Sequence, residues 1–351
     1  MNTEQEIAYI FGKKPVSVNT EPIQHHNGIS SRIAARDAGV KRYHAVFQDG
    51  STICFVGKRK SVRVIANGIR MICGSDPLQT MKLTFRHKIF GYNGSVTREA
   101  RLYSQPGTLP KTLIPHFLGS AADLLCGSCM IAMEELPASE PAAPSLFRIL
   151  EQIAQLHAHY YGKEALVKGL GLNQYTAADY RKTGGILRQM FEKLDAENRA
   201  VFSAAQIAEI RRFLSEIDRE FAALSYRRTL THNDCCDRNL CIAGDRICLY
   251  DWELACWQNP EHDAVELIIS VMDQLPDETV PEALRSYRRS IETLTGVPMT
   301  DAEYGRLLRF NTLEYCVNKL AILRYAGKTL HDSTPERLAN NTARMLHLLG
   351  I

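Results

Sequence analysis

The sequence predicts an α+β fold of two lobes, a β-rich N-terminal lobe over residues 1–136 and a helical C-terminal lobe over 137–351. Three observations carry this. β-branched and aromatic runs broken by turn residues fill the first third, and the Pro- and Ala-rich stretch PASEPAAPS then punctuates the chain. Beyond it, apolar residues recur at helical spacing. At 351 residues the chain is long for a single core, which agrees with a division in two.

In the first lobe, YHAVFQDGSTICFVGK (residues 43–58) holds two β-rich runs around Asp49-Gly50, a hairpin signal. Residues 61–73 read as a short helix and Ser95 to Ser104 as a second, with Ser95 as its N-cap. LIPHFLGSAAD and LLCGSCMIAMEEL supply two more strands, so the lobe should hold roughly five strands and one or two helices. In the second lobe, Leu146, Ile149, Ile153, Leu156 and Tyr160 mark one face of a helix. Ser203 with Gln206 is a capping box that opens another, whose apolar face runs Ile207, Ile210, Leu214, Ile217, Phe221. From Ala264 onward the chain reads as largely helical, and there are no repeats or low-complexity tracts.

Composition narrows the class. With 42 Lys+Arg against 39 Asp+Glu the net charge is only +3, too little to make nucleic acid or an anionic membrane the main partner. The opening MNTEQEIAYIFGKK lacks the apolar core of a signal peptide, and no apolar run approaches the ~18 residues of a membrane span, so a cytoplasmic protein is expected. The ten cysteines lie mostly in apolar stretches, where a thiol behaves as a small hydrophobe. Cys126 and Cys129 have dithiol spacing, but zinc would need a second such pair, and Cys235-Cys236 does not supply it. A redox dithiol is the other reading; the surrounding sequence favours a hairpin turn and reduced, structural cysteines.

Chemistry concentrates in residues 230–266, LTHNDCCDRNLCIAGDRICLYDWELACWQNPEHDAVE. Two short β-like runs, Leu240 to Ala243 and Ile247 to Tyr250, flank Gly244-Asp245 and predict a hairpin. Asp234 and Asn239 precede the first run and Asp251 follows the second, so the hairpin brings all three to one end. Two carboxylates and an amide oxygen suit oxygen-loving Mg2+ plus one free carboxylate that can deprotonate an attacking hydroxyl.

H-N-D-x-x-x-x-N followed by Y-D-W-E resembles the catalytic and metal loops of the aminoglycoside phosphotransferase and choline kinase superfamily, small-molecule kinases of the bilobal protein-kinase-like fold. The resemblance implies Asp234 as catalytic base, Asn239 and Asp251 as Mg2+ ligands, and His232 as a brace of the catalytic loop. Trp252 would pack behind the metal site, and Asp263 would hold the loop from a following helix. In the first lobe, Phe55-Val56-Gly57-Lys58 resembles the strand whose lysine reaches the phosphates, with Val56 under the adenine. Arg98-Glu99-Ala-Arg-Leu-Tyr103 resembles the helix whose glutamate pairs with that lysine. Met133-Glu134-Glu135-Leu136 resembles the hinge whose backbone receives the adenine, and Leu156-His157-Ala158 the helix behind the catalytic loop. His26-Asn27-Gly28-Ile-Ser30-Ser31 stands where a glycine-rich loop would be. Residues 60–93 form a long insertion before the glutamate helix.

Some alternatives stay open at this level. Gly57 inside a strand can mark a bulge, which would pass the lysine role to Lys60. Trp257 fits either the core or an acceptor pocket, whereas His157, on an apolar helix face, reads as structural. The implied activity is transfer of the γ-phosphoryl group of ATP or GTP, with Mg2+, to a hydroxyl of a small molecule. Aminoglycosides, other antibiotics, amino alcohols, sugars and natural-product intermediates are all candidates. For a cationic acceptor the helical tail offers Asp273, Asp277, Glu278 and Glu314. A protein or peptide kinase is disfavoured by the lack of D-F-G and A-P-E segments, and by Asp263 following Asp251 too closely for a long activation loop. A nucleotide-binding regulator without turnover would be expected to lose the base or a metal ligand, and all three are present. Walker A, H-E-x-x-H, G-x-S-x-G and G-x-G-x-x-G patterns are absent.

Overall fold

A computed structural model describes residues 1–23, 39–72, 81, 94–224, 227–324 and 333–351. The first lobe is built on an antiparallel sheet of β1 (Pro15–Pro22), β2 (Gly39–Phe47), β3 (Thr52–Ser61), β4 (Phe117–Asp123) and β5 (Ser128–Met133), ordered β1-β2-β3-β5-β4. The expected hairpin joins β2 to β3, with Gly50 at φ 77° and its N–H donating to the Phe47 carbonyl at 3.0 Å.

One face of this sheet is closed by α1 (Thr3–Phe11), a helix the sequence patterning did not disclose, started by an Asn2/Gln5 capping box. Ile7, Tyr43, Phe47, Phe55 and Met130 form the small core beneath it. Gly57 belongs to this packing and is not a bulge. β3 keeps an unbroken register with both neighbours through it, and a Cβ there would come within 2.4 Å of the Tyr43 ring and 2.9 Å of Met130. Because the register is regular, Val56, Lys58 and Lys60 all face the opposite side of the sheet, toward the second lobe.

The helix expected near 61–73 is α2 (Val62–Ile72), and α3 (Ser95–Ser104) has the expected span. Its N-cap is Gly94 rather than Ser95. Gly94 takes φ 75°, and its carbonyl accepts from the N–H groups of Thr97 and Arg98, which places Ser95 inside the first turn.

The second lobe comprises α4 (Leu146–Tyr160), α5 (Ala177–Glu192), α6 (Asp195–Val201), α7 (Ala204–Leu224), α8 (Glu261–Val271), α9 (Thr279–Thr295), α10 (Asp301–Tyr315) and α11 (Thr334–Leu348). The Ser203/Gln206 box is formed, with reciprocal 3.1 Å bonds. Short strands β6 (Asn173–Gln174), β10 (Cys256–Gln258) and β7 (Thr229–Thr231) pair side by side, and β8 (Leu240–Ala243) pairs with β9 (Arg246–Leu249) as the expected hairpin. Every residue of α8 is buried, which makes it the axis of the lobe and a firm support for the loop before β8. Trp257 is buried in the core. Directly after α10 the chain makes a π-helical turn, Cys316–Leu320. No helix among the described residues is long and apolar enough to cross a membrane.

Candidate active site

The loop from His232 to Asn239 is held from below by α8. Both oxygens of Asp263 accept backbone N–H groups, from His232 at 2.6 Å and from Asn233 at 2.9 Å, and one of them also meets His157 at 3.1 Å. His157 in turn contacts the Tyr287 hydroxyl at 2.7 Å, the structural role expected of it. Burial alone would raise the Asp263 carboxyl, but the hydrogen bond from His157 and the neighbouring imidazoles hold it down to about 2. Asn233, at φ 60°, is one of two non-glycine residues with positive φ among those described; the other is Asp251 at φ 67°. Such backbone persists where surrounding bonds over-determine it. Here the Asn233 amide donates to the Leu254 carbonyl and accepts from Gln258.

His232 braces the loop through both ring nitrogens. Nδ1 accepts the Asp234 N–H at 3.2 Å, so Nε2 carries the proton donated to the Tyr250 carbonyl at 2.9 Å. The ring packs edge-on against buried Trp252, whose indole N–H donates to the Leu249 carbonyl. The His232 contact ties the loop to the end of β9, and the Tyr250 N–H to Asn239 carbonyl bond of 2.9 Å ties that end to the start of β8.

Asn239 donates its side-chain amide to the Asp234 carbonyl at 2.8 Å, which turns its amide oxygen the other way. Asp251 engages Lys58 and Lys60 through Oδ1, while its Oδ2 has no protein partner among the described residues. A neutral amide oxygen and a carboxylate oxygen at the end of one hairpin are a donor set that fits Mg2+.

Across from them, Lys58 lies 2.8 Å from Glu99 and 2.5 Å from Asp251. Buried Glu99 also accepts the Tyr103 hydroxyl at 3.1 Å. Lys60 shares the constellation, at 3.1 Å from Glu99 and 3.3 Å from Asp251, and pairs closely with Glu253. The two lysines are thus joint members of one cluster, where the sequence offered them as alternatives. Burial works against the charge on Lys58, yet Asp251 and Glu99 raise its affinity for the proton; burial and the adjacent Lys58 push Lys60 down to about 8.

Val56 pairs in register with Met133. At the hinge the Glu134 N–H is spent on the His116 carbonyl at 2.9 Å, whereas the Leu136 N–H has no partner among the described residues. The Glu134 side chain pairs with Arg246 and that of Glu135 with Arg42, so neither carboxylate is offered to a base. The glycine-loop substitute His26 to Ser31 lies outside the described residues.

Sequence reasoning missed Lys319 and Glu266. Lys319, in the π-helical turn, sits 2.5 Å from Asp234 Oδ1 and 3.1 Å from the Asn233 carbonyl, and pairs with Glu266 of α8. Glu266 also accepts the Cys235 N–H at 2.8 Å. Burial would raise the Asp234 carboxyl, but Lys319 and Arg238 outweigh it and keep Asp234 below the usual carboxylate range. Asp234, Arg238, Glu266, Tyr315, Lys319 and Arg337 line a cleft under the loop. Asp263 and Glu266, which with His262 make a compact buried cluster, are engaged by the loop. Of the tail acids, Asp273 pairs with Arg337 and Asp277 with Arg344, while Glu314 accepts from Tyr180 and Asn318.

A β-rich lobe facing a helical lobe, with this loop and hairpin at the junction, defines a phosphotransferase of the kinase-like class. The model of the phosphotransferase enzyme family matches residues 92–298, and the chain belongs to that family. Among solved structures, the chain is similar to a choline kinase from Cryptosporidium parvum Iowa II, with a TM-score of 0.54 at 10% identity over 94% of this chain and 88% of the other. A choline kinase from Streptococcus pneumoniae gives a TM-score of 0.50 at 13% identity over 98% and 96%. At such identities the likeness speaks for the fold. No curated protein matches the chain by sequence.

Proposed function

We propose that this enzyme transfers the γ-phosphoryl group of ATP or GTP to a hydroxyl of a small soluble acceptor in the cytoplasm, with neither nucleic acid nor a membrane as partner. The observation that carries this reading is the state of Asp234. Its Oδ1 is held by Lys319, while Oδ2 has no protein partner among the described residues, and the side chain borders a cleft lined by Arg238, Glu266, Tyr315 and Lys319. A carboxylate kept ionised with one free oxygen is a general base awaiting a proton.

Asn239 and Asp251 would hold Mg2+, which when bound neutralises triphosphate charge. Lys58, kept in place by Glu99, would steady the phosphates, and Leu136 would offer its N–H to the base. Asp234 accepts the acceptor hydroxyl proton as the new O–P bond forms and the bond to the β-phosphate oxygen breaks, which leaves the nucleoside diphosphate. Positioning and charge supply nearly all the catalysis such a transfer needs. The test is a turnover screen with ATP and GTP against hydroxylated metabolites and antibiotics. Acceptor-dependent, Mg2+-dependent diphosphate release is expected; no turnover with any acceptor would favour a non-catalytic nucleotide-binding role.

A further inference from the structure

We propose that Lys319 is the positioning residue of the catalytic aspartate, a role that lies beyond the family-matched segment 92–298. The inference rests on the reading of Asp234 as the base.

Lys319 makes three contacts that converge on one task. Its ammonium grips Asp234 Oδ1 at 2.5 Å and the carbonyl of the preceding residue, Asn233, at 3.1 Å, and is itself held by Glu266. It therefore fixes both the side chain of Asp234 and the left-handed backbone that aims it. With Oδ1 engaged, Oδ2 is the oxygen left without a protein partner among the described residues, so one carboxylate orientation is favoured for meeting an acceptor hydroxyl. Lys319 is mostly buried, at 16% side-chain exposure, and buried Glu266 fixes its other side, so its ammonium is pre-placed rather than swinging from solvent.

The backbone around it is equally specific. Cys316–Leu320 is a π-helical turn between α10 and the helical residues 321–324. Such turns widen a helix locally, and they recur at functional sites because they reorient side chains at some cost in helix stability. Here the wide turn presents Lys319 to the catalytic loop while Cys316, Val317 and Leu320 remain buried. A second effect follows from charge. The transferring phosphoryl group must approach the Asp234 carboxylate, and a cation on Asp234 reduces that repulsion.

The experiment compares Lys319→Met and Lys319→Arg in the full chain, using the acceptor found by screening, or water as acceptor if none responds. Lys319→Met should lower kcat by about 10²-fold, the scale of a misaimed catalytic group, with nucleotide KM within a few-fold. Lys319→Arg should recover part of the loss and melt close to the wild type, while Lys319→Met should still unfold cooperatively but at a lower temperature, because Asp234 and Glu266 lose their shared cation. A folded Lys319→Met with wild-type kcat overturns the proposal. If Lys319→Met does not fold, Lys319→Met combined with Glu266→Gln, which also removes the stranded buried carboxylate while leaving an acceptor for the Cys235 N–H, carries the same measurement.

Crystal structures of wild type and variant with Mg2+ and a non-hydrolysable ATP analogue provide a readout independent of turnover. Asp234 should leave its orientation in Lys319→Met, and an unmoved Asp234 overturns the role. If the wild type turns over no nucleotide, the kinase reading fails, while this comparison still decides whether Lys319 sets Asp234.

Discussion

Lys58 on β3 and Asp251 after β9 stand 2.5 Å apart, a cation of the β-rich lobe against an anion of the helical lobe. With Glu99, Lys60 and Glu253 they form a partly buried cluster of two cations and three anions across the lobe junction. The cluster bridges the lobes, and under the proposed function triphosphate and Mg2+ would enter between these charges.

Lys58→Ala should raise nucleotide KM by more than about tenfold, since it removes the ammonium nearest both Glu99 and Asp251. Lys60→Ala should be milder, about two- to fivefold, because its closest partner is Glu253. Steady-state kinetics with both nucleotides would show this. Equal, small effects would remove the lysine assignment, and a dominant Lys60 effect would move it one pleat along the strand.

Asp251→Asn should weaken Mg2+-dependent nucleotide binding by about 10²-fold, near 3 kcal/mol. The substitution keeps the shape, and asparagine tolerates the φ of 67° found there, so the loss reports ligand charge rather than backbone strain. Asn239→Ala should cost less, since water can replace a neutral ligand. Titration calorimetry with and without Mg2+ decides it; an unchanged Mg2+ dependence in Asp251→Asn would speak against the site.

Asp234→Asn tests the base itself. Asparagine retains the polarity but cannot take a proton, so kcat should fall by roughly 10²–10⁴-fold. Nucleotide KM should stay within a few-fold, because Asn239 and Asp251 are untouched. Intact transfer to the acceptor in this variant would show that Asp234 is not the base.

Glu261 gives a stability prediction away from the chemistry. Its side chain is buried at the start of α8, Oε2 has no partner, and burial pushes its carboxyl up from 4.5 to about 7. Between those values the folded state holds a proton that the unfolded chain has released, so stability falls as pH rises through this window. Glu261→Gln should therefore raise stability at pH 8 by about 2–3 kcal/mol and leave it nearly unchanged at pH 4. Thermal melts at the two pH values check this; an equal shift at both would mean that the carboxyl does not titrate on folding.

The sequence by itself determined the parts of the site that are close along the chain. Asp234, Asn239 and Asp251 flank one tight hairpin, so β8 and β9 need only pair for the three to converge. Strand alternation likewise put Val56 and Lys58 on one face, and helical periodicity outlined α4 and α7. Only the tertiary structure decided the rest. Gly57 looked like a strand irregularity until the Tyr43 ring and Met130 showed why no side chain fits there. Gly94 took the cap from Ser95 because its positive φ, unfavourable for most other residues, closes the first turn. Lys319 reached Asp234 through a π-helical turn whose place depends on how α10 packs against α8, and no local pattern encodes a contact between residues so far apart. Local spacing determines what a short hairpin gathers, while contacts between distant helices arise from packing of the whole lobe, where burial of apolar surface outweighs local preference.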